Sequence, residues 1–265
     1  MQVLGIYREA IFSPGRMSDD TLILEATAAA LRQHGLDVCL RRAETLADEA
    51  PRPQVIFSMA QGEPILLMLQ RWQDQGSVVI NNAAAVWNCR RARTLELCRA
   101  AGVLLPESWT APTAIPLPEI KRRRLPHALW VKRADMHALQ LDDVVYLQDQ
   151  ATLPDALFAF ACRGVTEVIL QAHCPGLVIK FYGVGPGRFF DCSDAGRPVR
   201  ERLISLASQA AHTVGLEIFG GDCVLREDGA PVLIDLNDWP SFARCRQAAA
   251  QAIADLILER IQREL

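Results

Sequence analysis

The sequence predicts a mixed α/β and α+β protein, with a small doubly wound parallel sheet at the N-terminus and a larger α+β region after it. Three observations carry this reading. The chain has 265 residues, half of them apolar, and a net charge of −3, which suits a soluble protein with a substantial core. Short apolar runs alternate with helical segments over residues 1–82, the pattern of βαβ units. Near the C-terminus, Cys223–Leu225 and Val232–Leu236 flank Asp228-Gly229, a strong hairpin signal.

The first apolar run, Val3–Tyr7, reads as a strand and is followed by a Ser13-Pro14-Gly15 loop. Ser18-Asp19-Asp20 then caps a helix with apolar positions Leu22, Ala26, Ala29 and Ala30, ending at His34-Gly35. Strands at Asp37–Leu40, Gln54–Met59 and Ser77–Asn81 and a helix at Pro64–Gln75 complete the first unit, residues 1–82. Ligands of such sheets bind beyond the carboxyl ends of the strands, which directs attention to Arg8, Ser13, Arg16 and Gln61.

The second unit, residues 83–265, opens with a helix from Ala83 to Ala101 that groups Arg90, Arg91 and Arg93 and stops at Gly102. A proline-rich connecting segment, Leu105–Arg124, ends in a basic run. Leu129–Lys132 is a strand ending in a lysine, either a point charge suited to phosphate or an edge lysine that snorkels to solvent, and Asp135–Asp143 is a polar loop. Strands follow at Val144–Leu147, Glu167–Gln171 and Leu177–Val184, the last placing Lys180 and Tyr182 on one face. Helices are expected at Pro154–Cys162, Glu201–Val214 and Arg246–Arg263. The glycines at 183, 185 and 187 read as a hairpin turn, since Pro186 intervenes and no helix follows.

If Asp228 and Gly229 are the two central residues of a type I′ turn, ladder partners have numbers summing to 457, so Asp222 faces Asp235. Opposed residues have Cβ atoms about 5 Å apart, and like charges so placed are destabilising. Asn237 lies on the same face. Two carboxylates and an amide oxygen suit a hard cation such as Mg²⁺; a solvated acidic face is the plainer alternative.

Other chemistries find little support. The charge balance does not suit general nucleic-acid binding, and no apolar stretch reaches the ~20 residues of a membrane span. Met1 runs straight into a strand-like segment, so no secretory leader is expected. Eight scattered cysteines without a Cys-x-x-Cys read as reduced thiols of a cytoplasmic protein. The histidines lack metal-ligand spacing, although His137 and His173 lie in loops near the acidic hairpin. No Gly-x-Ser-x-Gly elbow is present.

Taken together, these motifs resemble the ATP-grasp superfamily over most of the chain. Ile234-Asp-Leu-Asn237-Asp-Trp-Pro240 is similar to its Glu-x-Asn-x-x-Pro signature, with Asp222 in the position of the upstream metal carboxylate. Asn81-Asn82 to Gly102 with Pro106, the strand Trp130-Val-Lys132, and Val168–Gly176 resemble further motifs in the same order. The resemblance implies a two-lobed ATP-grasp domain, with a linker helix and smaller lobe over 83–170 and a hinge and metal-binding lobe over 171–265. Adenine would lie against Gln171, Ala172 and His173, and Lys132 on the α/β-phosphates. It also implies Mg²⁺ (Mn²⁺ as the alternative) on Asp222, Asp235 and Asn237. Lys180 and Arg91 would be the catalytic cations; Arg91 aligns best with the family's first lysine, with Arg90 or Arg93 reached by a small shift. Arg8, Ser13, Arg16 and Ser241 would face the acceptor. Two departures stand out: Asp235 is a methylene shorter than the usual glutamate, and the lid after Lys132 has no glycine, so Arg133 or His137 would have to serve through side chains.

The implied activity is ligation of a small-molecule carboxylate to an amine or thiol, in a monomer or homo-oligomer. A small-molecule kinase, with Arg8, Arg16, Arg188 and Lys180 facing a phosphorylated acceptor, and a non-catalytic nucleotide-binding module are the alternatives.

Overall fold

The computed structural model describes residues 1–265 except 14, 16, 47–51, 123, 138–139 and 194–195, so Arg16 lies outside the described residues. Strands β1 (Gln2–Tyr7), β2 (Asp37–Arg42), β3 (Val55–Ser58) and β4 (Val78–Ile80) form a parallel sheet in the order β2-β1-β3-β4. Helix α1 (Met17–Gln33) covers one face, and α2 (Glu63–Asp74) packs on the other with α3 (Ala83–Asn88). This is the doubly wound unit expected from the alternation.

The inner stripe of α1 differs from the expected one. Ile23, Leu24, Thr27, Ala28 and Leu31 are buried, whereas Leu22 and Ala29 face solvent. The helix is rich in alanine on several faces, so only the packing partners select the inner one. Its start also differs: Ser18, Asp19 and Asp20 sit inside the first turn rather than before it.

The helix expected over residues 83–101 is two helices, α3 and α4 (Arg91–Ala100). Between them Arg90 is extended, and the Thr94 hydroxyl donates to the Asn88 carbonyl at 2.9 Å. The proline-rich connector is not a plain linker, since it contributes β5 (Ser108–Pro112) and α5 (Leu117–Arg122). Strand β5 joins β6 (Leu129–Arg133), β7 (Val144–Leu147) and β8 (Glu167–Ala172) in an antiparallel sheet, order β5-β8-β6-β7, backed by α6 (Leu153–Cys162).

A third sheet is also antiparallel. It orders β9 (Leu177–Val184), β10 (Phe189–Cys192), β11 (Ile218–Leu225) and β12 (Pro231–Asp238) as β10-β9-β11-β12. Helix α7 (Arg197–Val214) covers its outer face. The closing helix α8 (Arg246–Glu264) lies along α1 and shares a core with the first sheet, Trp239 and Phe242. Among the described residues no helix is long and apolar enough to cross a membrane.

The β11–β12 hairpin reaches the expected acidic pairing by a different route. Its loop has three residues, because Arg226 pairs with Ala230 and only Gly229 of the loop takes positive φ, at 76°. Near the loop the partners are Cys223↔Leu233 and Val224↔Val232, one step off the register of a two-residue turn. A bulge then restores that register, giving Asp222↔Asp235 and Gly220↔Asn237. Ile234 is the extra residue, so Ile234 and Asp235 both face the same side. The two-residue type I′ turn is therefore a correction to the sequence reading, while the acidic pair stands.

Candidate active site

Two sheet faces oppose one another around the acidic pair. From the smaller lobe come Trp130 and Gln171, which are ladder partners, and Lys132, which pairs with Ile169. From the larger lobe come Val178, Lys180, Asp222 and Val224 with Ile234 and Asp235. Between them lies a cavity of about 340 Å³, lined by Trp130, Lys132, Gln171, His173, Val224 and Ile234 among others. A polar cleft of about 540 Å³ adjoins it and shares Arg91, Val144, Asp222 and Asp235 with it. An apolar, aromatic-walled slot thus opens onto a charged cleft. Such a division suits a ligand with a flat end and an anionic end.

The charges are closely matched. Lys180 is the β9 partner of Asp222, and its Nζ lies 2.9 Å from Asp222 Oδ1. Arg91 Nε lies 3.5 Å from Asp235 Oδ1, while its Nη1 donates to the Met136 carbonyl at 3.2 Å. Burial by itself would raise the Asp235 carboxyl, but Arg91, His137 and Lys132 outweigh it and hold the group at about 2. Lys132 is the converse case: burial pushes its ammonium down to about 8 against the pull of Asp235. Its Nζ donates to the Ile234 carbonyl at 2.9 Å, the carbonyl of the bulge residue itself.

The three grouped arginines divide. Arg91 is buried in the site, Arg90 stacks over Trp87 at 3.9 Å, and Arg93 pairs with Glu96 at 2.7 Å on the surface. In the loop after β6, Arg133 is bound to Asp135 at 2.8 Å and Asp143 at 3.1 Å and does not line either cavity. His137 does line the cleft. Burial lowers its imidazole below the ordinary value, with Asp235 opposing that and Arg91 reinforcing it.

At the hinge the amide N–H groups of Ala172 and His173 already donate to Glu107 and Ala128 carbonyls, at 2.7 and 3.1 Å. The Gln171 side chain of the same segment is buried. An aromatic wall that sequence reading missed stands beside it. Trp130 and Tyr146 have ring centroids 4.9 Å apart, and Trp130 Nε1 donates to His173 Nδ1 at 3.3 Å.

The N-terminal residues reach the same cleft. Arg8, Ser13 and Ser241 line it together with Asp20, which sequence reading took only as part of a helix start. Arg8 Nη2 donates to the Trp239 carbonyl at 2.6 Å, and Arg8 Nε lies 3.4 Å from Asp20. The Ser13 hydroxyl donates to the same Asp20 carboxylate. Gln61 Nε2 donates to Asp238 at 2.5 Å. Asn81 is no cleft residue; its side chain accepts from the Glu217 and Ile218 amides and donates to the Ile218 carbonyl. Asn82 caps α3 by accepting from Ala85 N. Arg188 pairs with Glu259 on α8, away from the cleft.

Whether a hard divalent cation fits follows from the donor chemistry. Asp222, Asp235 and Asn237 offer oxygens only, the carboxylates are opposed by register, and Asp235 stays ionised. The set fits Mg²⁺.

The chain has the ATP-grasp ligase fold. It matches the D-alanine–D-alanine ligase from Bacillus anthracis at a TM-score of 0.78 and 13% identity, over 99% of this chain and 98% of that one. The RimK domain ATP-grasp protein from Sphaerobacter thermophilus matches at 0.69 and 19% identity, over 97% of this chain and 100% of that one. The D-cycloserine synthetase DcsG matches at 0.71 and 16% identity, over 96% and 99%. No protein-family model matches the sequence, and no curated sequence does.

Proposed function

We propose that this protein is an ATP- and Mg²⁺-dependent ligase that joins a small-molecule carboxylate to an amine or thiol. The observation that carries the reading is the opposed Asp222/Asp235 pair with Lys132, Lys180 and Arg91 converging on it beneath an apolar slot. When bound, ATP supplies the phosphoryl group that activates the carboxylate as an acyl phosphate, and Mg²⁺ on Asp222, Asp235 and Asn237 neutralises phosphate oxygens.

The chain's own residues position and neutralise. Lys132, fixed on the Ile234 carbonyl, places a buried cation at the inner end of the slot. Arg91 contacts both Asp235 and the loop carbonyl of Met136, which ties the acidic strand to the loop. Lys180, half exposed and paired with Asp222, is placed to transfer its contact to an anionic ligand. Arg8, tied to Asp20 and the Trp239 carbonyl, closes the far end of the cleft. No protein nucleophile is required.

The engagement of Arg8 and Arg188 leaves fewer cations for a phosphorylated acceptor than the kinase alternative expects. Incubation with Mg-ATP and pooled carboxylates and amines, read by phosphate release and mass spectrometry, tests the reading. Free phosphate and a condensed product are expected only when both acceptors are present. A phosphorylated product that persists would replace it with a kinase.

A further inference from the structure

At the edge of the charged cleft, which His137 and Asp238 both line, lies a cluster to which the proposed ligase chemistry assigns no role. Cys89 follows α3, His137 lies in the loop after β6, and Asp238 ends β12. Among the described residues these form the single set of three potential ligands of this kind whose donor atoms all lie within 4.8 Å of one another. Cys89 Sγ is 3.7 Å from His137 Nε2, and His137 Nε2 is 4.0 Å from Asp238 Oδ1.

The geometry separates two chemistries. In a Cys-His-Asp relay the thiol and the carboxylate approach opposite nitrogens of the ring, so that one orients the imidazole while the other is activated. Here both approach Nε2, the arrangement of donors sharing one centre. Tetrahedral Zn²⁺, with bonds of about 2.3 Å to sulfur and 2.0–2.1 Å to nitrogen, sets neighbouring donors roughly 3.5 Å apart. The two separations from His137 Nε2 exceed that spacing by a few tenths of an ångström, and the thiol and carboxylate donors lie within 4.8 Å of one another. Asp238 Oδ1 already accepts from Gln61 Nε2 at 2.5 Å, but Asp238 Oδ2 is buried without a hydrogen-bond partner among the described residues, an arrangement that costs stability unless something else engages it. A cavity of about 180 Å³ adjoins the three donors and is lined also by Gln61, Glu63 and Arg90, leaving room for a water or a further ligand on the fourth side.

We propose that Cys89, His137 and Asp238 form a site for one borderline-soft divalent metal of the Zn²⁺ class, distinct from the all-oxygen Asp222/Asp235/Asn237 set. Sulfur, nitrogen and oxygen donors together favour such an ion over Mg²⁺. Asp238 follows Asn237 on β12 and both line the charged cleft, so the two donor sets are neighbours that differ in donor chemistry. A metal here would fasten the loop after β6, which also carries the Met136 carbonyl that Arg91 holds, to α3 and β12. The proposal does not rest on the ligase reading.

The test uses the full chain, freed of metal with EDTA and titrated with Co²⁺ in the absence of nucleotide. One equivalent is expected to bind with the thiolate-to-cobalt charge-transfer band, and Zn²⁺ is expected to displace it. Cys89→Ser should lose the band and weaken uptake by more than the about 10–100-fold that removing an outer-shell partner costs. Cys162→Ser, at an exposed thiol, should retain both. If Cys89→Ser does not fold, His137→Gln supplies the same comparison from a loop position. A wild-type protein that develops no charge-transfer band, a band that survives in Cys89→Ser, or full affinity in His137→Gln would overturn the proposal. Because ATP is absent, failure here is distinguishable from failure of the ligase reading.

Discussion

Lys132 carries the largest conflict between a side chain and its surroundings. Its ammonium is buried, and that lowers it from 10.5 to about 8. The penalty for burying the charge is fully present below pH 8, declines as the folded state sheds its proton first, and is gone above pH 10.5. Relative to Lys132→Met, the ligand-free wild type should therefore gain on the order of 2–3 kcal/mol of stability between pH 7 and pH 10.5. Urea unfolding of both proteins across that range would measure it, and a constant difference would reject the assignment. The binding of an anion would offset the same penalty at neutral pH, so a residue that is costly in the free protein suits a phosphate site. Asp235 plays the complementary part. Asp235→Ala should fold, yet its thermal shift with Mg-ATP should fall to that seen with ATP and EDTA. For the wild type at 100 times the dissociation constant, the stabilisation by ligand should be about 2.7 kcal/mol. Equal shifts in mutant and wild type would remove the metal assignment.

At the scale of elements, the β11–β12 hairpin fixes the site. Gly220 and Gly221 let β11 lie close to its neighbours: a Cβ on Gly221 would meet the Asp235 carbonyl oxygen at 2.3 Å, and one on Gly220 the Pro240 ring at 2.7 Å. Gly221→Ala must therefore push β12 away at the acidic pair. We expect a loss of about 1–3 kcal/mol in denaturant unfolding, together with a weakened response to Mg-ATP. An alanine variant with unchanged nucleotide response would show that the pair tolerates displacement. The same hairpin shows what a sequence can and cannot reveal. Alternation and a turn signal led to Asp222 opposite Asp235, but the three-residue loop and the bulge at Ile234 are two departures that cancel. Neither has a local signature as strong as Asp-Gly. The bulge matters to the site because the Ile234 carbonyl receives Lys132 from another sheet.

At the scale of the whole molecule, the parallel sheet and the acidic sheet are joined through buried polar contacts as well as the α1–α8 core. Asn81 bridges from the end of β4 to the start of β11, satisfying two amides and a carbonyl. Asn81→Ala would leave those groups unpaired in a buried place, which should cost about 3 kcal/mol in urea unfolding. A loss below 1 kcal/mol would mean that water or a backbone shift replaces the side chain. Arg8 makes the second join, from the end of β1 to the Trp239 carbonyl. In the sequence Arg8 drew attention because it follows a parallel strand, where ligands bind, and Asn81 because it opens a motif that resembles the ATP-grasp pattern. In the folded chain both act first as fasteners between sheets.

The sequence by itself determined the local and periodic features: the doubly wound first unit, the strand ending at Lys132, and the facing of Asp222 and Asp235. Each rests on spacing along one or two neighbouring segments, where the period of two or 3.6 residues controls which way side chains point. Tertiary structure alone decided which of Arg90, Arg91 and Arg93 enters the site, that Arg133 turns back to Asp135 and Asp143, and that the proline-rich connector supplies an edge strand. It also brought Cys89, His137 and Asp238, separated by 48 and 101 residues, within reach of one centre. Those outcomes depend on how separate elements pack against one another, and no periodicity within a single element encodes that.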